Sequence, residues 1–127
     1  MTQLTVGQAL GQPNILRARE VQSILHRNRK LIDEIDAKIR SPFAQSIRSY
    51  YACSNPGYSV LDGSYRSLVC FVIDALKYVP DGGCSDLAAK LEKFSCGLPT
   101  IEGRALLEEA LDSLNIHQDE IKVRKKP

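Results

Sequence analysis

ILRAREVQSILHRNRKLIDEIDAKIR, residues 15–40, is the most regular passage of the 127-residue chain. Its apolar residues Val21, Ile24, Leu25, Leu31, Ile32, Ile35 and Ile39 fall at the spacing of one helical face. At about 100° per residue they cover an arc of roughly 120°, the width of a stripe that faces a core or a partner helix. The pattern predicts one long amphipathic helix of roughly 39 Å at 1.5 Å per residue. A compact chain of this length has a radius of gyration of about 14 Å, so such a helix crosses the whole body. Asn28 stands at the centre of the stripe.

Working outward, the first helix ends near Arg40, because SPF follows and a proline disfavours helical geometry in the residue before it. Ser41 then serves as N-cap and Pro42 as first residue of a second helix reaching about residue 53. SNPGYSVLDGS, residues 54–64, reads as a loop by its turn chemistry. A third helix over 64–79 is apolar nearly all round through Tyr65, Leu68, Val69, Phe71, Val72, Ile73, Leu76 and Val79, which places it in the middle of a bundle. LVCFVI within it also has strand-like composition. Helix is preferred because the pattern continues to Val79.

PDGG ends that segment, and Ser85 or Asp86 caps a fourth helix with Leu87, Leu91 and Phe94 on one face. After CGLPT, a fifth helix over 101–116 carries Leu106, Leu107, Ala110, Leu111 and Leu114 at helical spacing. Residues 1–13 read as a flexible lead-in and 122–127 as a basic tail. The expectation is an all-α chain: a single-domain bundle of about five helices over 14–121, with one long N-terminal amphipathic helix.

Composition narrows the function classes. With 43% hydrophobic and 25% charged residues the chain lies away from the disordered regime. Its longest apolar run, residues 68–73, is far short of the roughly 20 needed to span a bilayer. MTQLTVGQALGQPN has neither the basic opening nor the apolar run of a secretory signal, so the cytoplasm is the expected location, with the nucleus also open. Cys53, Cys70, Cys84 and Cys96 contain no CxxC pair and are expected to be reduced thiols. The only histidines are His26 and His117; no metal or cofactor is expected. GxxxxGK[ST], HExxH, GxSxG and GxGxxG are all missing, which argues against an enzyme. His26, beside Arg27 and Lys30, reads as a surface histidine, since a general base needs a positioned partner.

Two binding classes stay open. A polar residue in an apolar seam fixes register and oligomer state between paired helices; equally, Asn28 could bond a backbone group of its own chain. The first reading is a non-enzymatic interaction protein. It forms a homo-oligomer, or docks a helical protein partner, through a coiled-coil-like seam of Val21, Ile24, Asn28, Leu31 and Ile35. The second comes from charge. Residues 1–60 hold eight basic and four acidic side chains, residues 61–121 five and eleven, and the tail four more basic ones. Arg17, Arg19, Arg27, Arg29 and Lys30 face a single acid, Glu20, over residues 17–30. Cations near a helix N-terminus oppose its dipole, and an RNA or DNA backbone compensates clustered Arg and Lys independently of sequence.

Beyond Lys30, Glu34–Lys38 and Asp36–Arg40 stand in the favourable i,i+4 order. Phe43, Tyr50, Tyr51 and Tyr58 flank Arg48. They are read as plugging a corner between helices with hydroxyls toward water, in preference to stacking on bases.

VQSILHRNRKLI, residues 21–32, resembles the opening of the helical domain of the plant early-flowering-four circadian regulators, a resemblance that implies a helical protein-binding partner in the nucleus. The following SPFAQSIRSYYACSN and the second half depart from that pattern, so no function is carried over. Small size, all-helical build and a basic helix also look similar in character to small viral RNA-silencing suppressors.

Overall fold

The computed structural model describes residues 15–80, 83–95 and 99–121; the lead-in over 1–13, the tail over 122–127 and Cys96 lie outside them. Among the described residues are six α-helices: α1 (Ala18–Arg27), α2 (Arg29–Ile39), α3 (Ala44–Tyr51), α4 (Tyr58–Leu76), α5 (Ser85–Glu92) and α6 (Ile101–His117). A 3-10 turn, Gln118–Glu120, follows α6. The all-α expectation holds, and the count is six rather than five.

The additional helix comes from the N-terminal passage, which is two helices and not one. Asn28, with φ −102° and ψ 8°, separates α1 from α2. Its Nδ2 donates to the carbonyl of Ile24 at 2.8 Å, the oxygen that a continuous helix reserves for the backbone N–H of residue 28. That N–H still reaches the same oxygen, at 3.3 Å, and the Asn28 carbonyl accepts from Ile32 at 2.9 Å. A local side-chain bond thus competes with the helical ladder at a single residue.

Helix α4 sits at the centre and packs against α1, α3, α5 and α6. Its buried residues Leu61, Tyr65, Leu68, Val69, Phe71, Val72, Ile73, Ala75 and Leu76 go most of the way round the helix, as a central position requires. The strand alternative is excluded. The helix also begins six residues earlier than the turn chemistry of 54–64 suggests. Gly57 precedes it in extended geometry, Leu61 is buried, and Asp62 pairs with Arg66 at 3.0 Å one turn on. Burial of an apolar face outweighs the local turn preference of Asp62-Gly63.

Smaller boundaries shift for local reasons. Pro42 and Phe43 form a turn, and α3 begins at Ala44. The Ser41 N–H donates to the buried Asp36 carboxylate at 2.8 Å, not to a helical carbonyl. Arg40 closes α2 in the left-handed region at φ 51°. On α5 the buried residues are Ala88 and Leu91, while Leu87 and Phe94 are only partly covered. Thr100 caps α6, its Oγ1 accepting from Gly103 at 3.0 Å.

The chain entry is tied to that same cap. Leu16 donates to the Pro99 carbonyl at 2.9 Å, and Ile15 forms an antiparallel bridge with Thr100. Leu16, wholly buried, joins a continuous core that extends to Ile121. Each fully buried Leu, Ile or Phe in it contributes roughly 1.5–3 kcal/mol. Among the described residues, no helix is long and apolar enough to cross a membrane.

Candidate functional site

Helices α1 and α2 divide their residues sharply between inside and outside. Val21 and Ile35 are wholly buried and Ile24 is 2% exposed, all within the core of their own chain. Three of the five seam residues are therefore buried in the core of their own chain, and they are not presented to a second chain. Leu31 is partly buried against the core. Asn28 makes the backbone bond within its own chain described above, the second of its two sequence readings. A stripe of this width serves a core or a partner equally well; here it serves the core.

What remains outside is cationic. Arg17, Arg19, Gln22, Ser23, His26, Arg27, Arg29 and Lys30 are all exposed along α1 and the start of α2. The one acid of the passage, Glu20, is occupied in part by a 2.8 Å bond from the Arg17 backbone N–H. Three of the five basic residues have partners. Arg27 pairs with Glu108 of α6 at 2.6 Å. Lys30 approaches Glu34 at 3.9 Å and is otherwise almost fully solvated. The Arg29 guanidinium lies 4.7 Å from the centre of the Tyr51 ring, a cation–π contact that leaves its hydrogen-bond donors available. Arg17 and Arg19 make no ion pair among the described residues.

Two flanks border this ridge. On one side lies an aromatic corner. His26 packs 5.4 Å from Tyr50 and 5.8 Å from Tyr51, and the two tyrosine rings are 5.4 Å apart. The corner-plug reading holds for the packing of Tyr50 and Tyr51, but their hydroxyls do not simply point to water. Tyr51 donates to the Leu25 carbonyl at 2.7 Å, and the Tyr50 hydroxyl is buried. Burial first, then the nearby Asp33 carboxylate, pushes the Tyr51 phenol up to about 12, against the opposing pull of Arg29. Phe43, 38% exposed, stands apart from this corner and lines a different groove with Cys70, Ile73 and Lys77.

On the other side, α6 forms the far wall of two polar grooves. One, of about 410 Å³, runs past Arg27, Asn28, Lys30 and Leu31 to Asp112, Asn115 and Gln118. The other, of about 380 Å³, is lined by Arg19, Glu20, Ser23, Ile24, Arg27, Arg104 and Glu108. Arg104 and Glu108 are neighbours of this ridge that local sequence spacing does not reveal. They lie some eighty positions from α1, and no local spacing reports such a contact. Glu108 supplies the counter-charge of Arg27.

The mixed-charge half is rewired as well. Neither Glu34–Lys38 nor Asp36–Arg40 forms among the described residues. Asp36 instead accepts from Arg48 of α3 at 2.5 Å, and Lys38 donates to the Gln118 carbonyl at 2.5 Å. Cys53, Cys70 and Cys84 take part in no disulfide among the described residues. Burial, reinforced by Glu120, pushes the Cys84 thiol up, which suits packing rather than reactivity. No cluster of three or more His, Cys, Asp or Glu suited to a metal occurs among the described residues. No family model, curated protein or solved structure matches this chain.

Proposed function

We propose that this protein is a non-enzymatic binding module that holds a nucleic-acid phosphate backbone along the outer ridge of α1 and the start of α2, with RNA as the first substrate to test. One observation carries the reading: folding consumes the apolar side of the N-terminal passage and leaves a cationic outer side. The ridge from Arg17 to Lys30 is about 20 Å long at 1.5 Å per residue. Arg19, Arg29 and Lys30 are its principal phosphate contacts, and Arg17 extends it at the helix entry. Such contacts position a polyanion without reading its sequence.

The aromatic flank supports the same reading. Arg29, held over Tyr51, is pre-ordered with its donors outward, which reduces the entropy lost when it meets a phosphate. Exposed His26 beside it offers a ring face to an unstacked base. Titration of a labelled single-stranded RNA at roughly 50 mM salt, where backbone contacts are strong, tests the proposal. Saturable binding that weakens steeply as salt is raised is the expected result; absence of binding at that salt rejects it.

A further inference from the structure

The groove between α1 and α6 that contains Arg19 gathers three guanidinium groups. Arg19 and Arg27 come from α1 and Arg104 from α6, with the Ser23 side chain among them. We propose that these four residues form a discrete seat for one phosphate group, and that Glu108 holds the seat partly closed by occupying Arg27. The proposal rests on the polyanion reading above and sharpens it, because it places one phosphate between two helices rather than along one.

The chemistry is that of phosphate recognition. A guanidinium presents a planar fork of donors matched to phosphate oxygens, and a hydroxyl adds a further donor. The groove measures about 380 Å³, and Arg27 and Glu108 are both well exposed, at 61% and 40% of the side chain. A ligand therefore reaches the pair without opening the core. Arg19 and Arg104 make no ion pair among the described residues. Glu20 also lines the groove, and its carboxylate is bonded to the Arg17 backbone.

A buried phenol lies near the two α6 residues of the groove. Tyr65 of α4 is 3% exposed and its hydroxyl has no hydrogen-bond partner. Arg104 and Glu108 are the charged groups that act on it, the former lowering and the latter raising a phenol pKa that burial has already pushed up. Glu108 thus stands where a phosphate competes with it for Arg27. An exposed pair of this kind is worth little in water, so a ligand carrying more charge and more acceptors displaces it.

The test follows the arginine side-chain N–H resonances by nuclear magnetic resonance during titration with inorganic phosphate, and separately with single-stranded RNA. Phosphate should shift Arg19, Arg27 and Arg104 while leaving Arg48 and Arg66 in place. Glu108→Gln should tighten phosphate binding roughly threefold to fivefold, the scale of one exposed pair, and Arg104→Gln should weaken it by a similar factor. Arg104→Lys keeps the charge and should recover only part of the affinity, which separates a fork-shaped contact from simple attraction. Uniform shifts of all arginines, or an unchanged affinity in Glu108→Gln, would overturn the seat. If phosphate binds as described but RNA does not, the seat stands and the nucleic-acid reading falls. If RNA binds and Arg104→Gln has no effect, the ridge stands and the seat falls.

Discussion

Asn28 donates its side-chain Nδ2 to the carbonyl oxygen of Ile24 at 2.8 Å, and its own backbone N–H reaches that same oxygen at 3.3 Å. The shared acceptor explains why the N-terminal passage is two helices. It also removes the reason to assign Asn28 to an interhelical register, since its amide is satisfied within the chain. Replacing Asn28 with Ala deletes one hydrogen bond worth about 0.5–1.5 kcal/mol and gains up to about 0.7 kcal/mol of helix propensity. The expected outcome is a stability within about 1 kcal/mol of the parent and an unchanged sedimentation mass. A change of oligomeric state in Asn28→Ala would restore the seam reading.

The buried end of α2 depends on one carboxylate. Asp36 accepts from the Ser41 backbone at 2.8 Å and from Arg48 at 2.5 Å, so it joins α2 to the turn before α3 and to α3 itself. Asp36→Ala leaves the Ser41 N–H buried without a partner and should cost about 2 kcal/mol, measured by urea unfolding. Arg48→Ala, with a half-exposed side chain, should cost less. Equal losses in the two variants would mean that the backbone bond to Ser41 contributes little.

Two glycines in helices should respond with opposite sign. A Cβ at Gly63 meets nothing within 4 Å, while a Cβ at Gly103 comes within 3.1 Å of Thr100 Oγ1 and 3.2 Å of the Phe94 ring. Gly63→Ala should gain about 0.5–1 kcal/mol, the helix-interior difference between the two residues. Gly103→Ala should lose about 1 kcal/mol net, because crowding of about 1–3 kcal/mol exceeds the same propensity gain. Thermal melts of the two variants decide it; a higher melting temperature in Gly103→Ala than in Gly63→Ala refutes the packing described at the α6 cap.

Tyr51 gives a pH dependence with a definite sign. Its phenol is held at about 12 in the fold against an ordinary value of 10.0, so the folded state retains the proton more tightly than the unfolded one. Its contribution to stability is complete below about pH 10 and is lost as pH rises toward 12. Tyr51→Phe should remove that alkaline component. It should also lose about 1 kcal/mol at neutral pH with the bond to Leu25. Denaturant unfolding at neutral pH and at pH 11 measures both, and an unaltered alkaline dependence in Tyr51→Phe would contradict the assignment.

These residues also mark how far the sequence could be read. Helical class was legible because Val21 to Ile39, and Leu106 to Leu114, repeat with helical spacing. The central place of α4 was legible because its apolar residues go nearly all round. The interruption at Asn28 was not, since one asparagine leaves the hydrophobic period intact and its competing bond is local geometry. Turn chemistry in Asn55-Pro56-Gly57 correctly marked a break but concealed the start of α4, where burial of Leu61 outweighs Asp62-Gly63. Periodicity identifies a buried face without naming what buries it, so the stripe on α1 was assigned to a partner when α4 was its neighbour. Arg104 and Glu108 could not be joined to Arg19 and Arg27 by any local rule, because only the packing of α6 brings them together.

The central claim is that the outer ridge of α1 and the start of α2 binds a phosphate backbone, and the salt dependence of RNA affinity tests it most directly. The ridge variant replaces Arg19, Arg29 and Lys30 with Gln; Arg27 is left intact because Glu108 already engages it. The control replaces Lys77, Lys90 and Lys93, exposed cations of the α4–α5 side, with Gln. Each neutralised phosphate of a single strand contributes about 0.7 to the slope of log affinity against log salt. The ridge variant should therefore lose about two units of slope between roughly 50 and 200 mM salt, and the control should match the parent. No RNA binding by the parent at roughly 50 mM salt, or equal slopes in the two variants, would contradict the account.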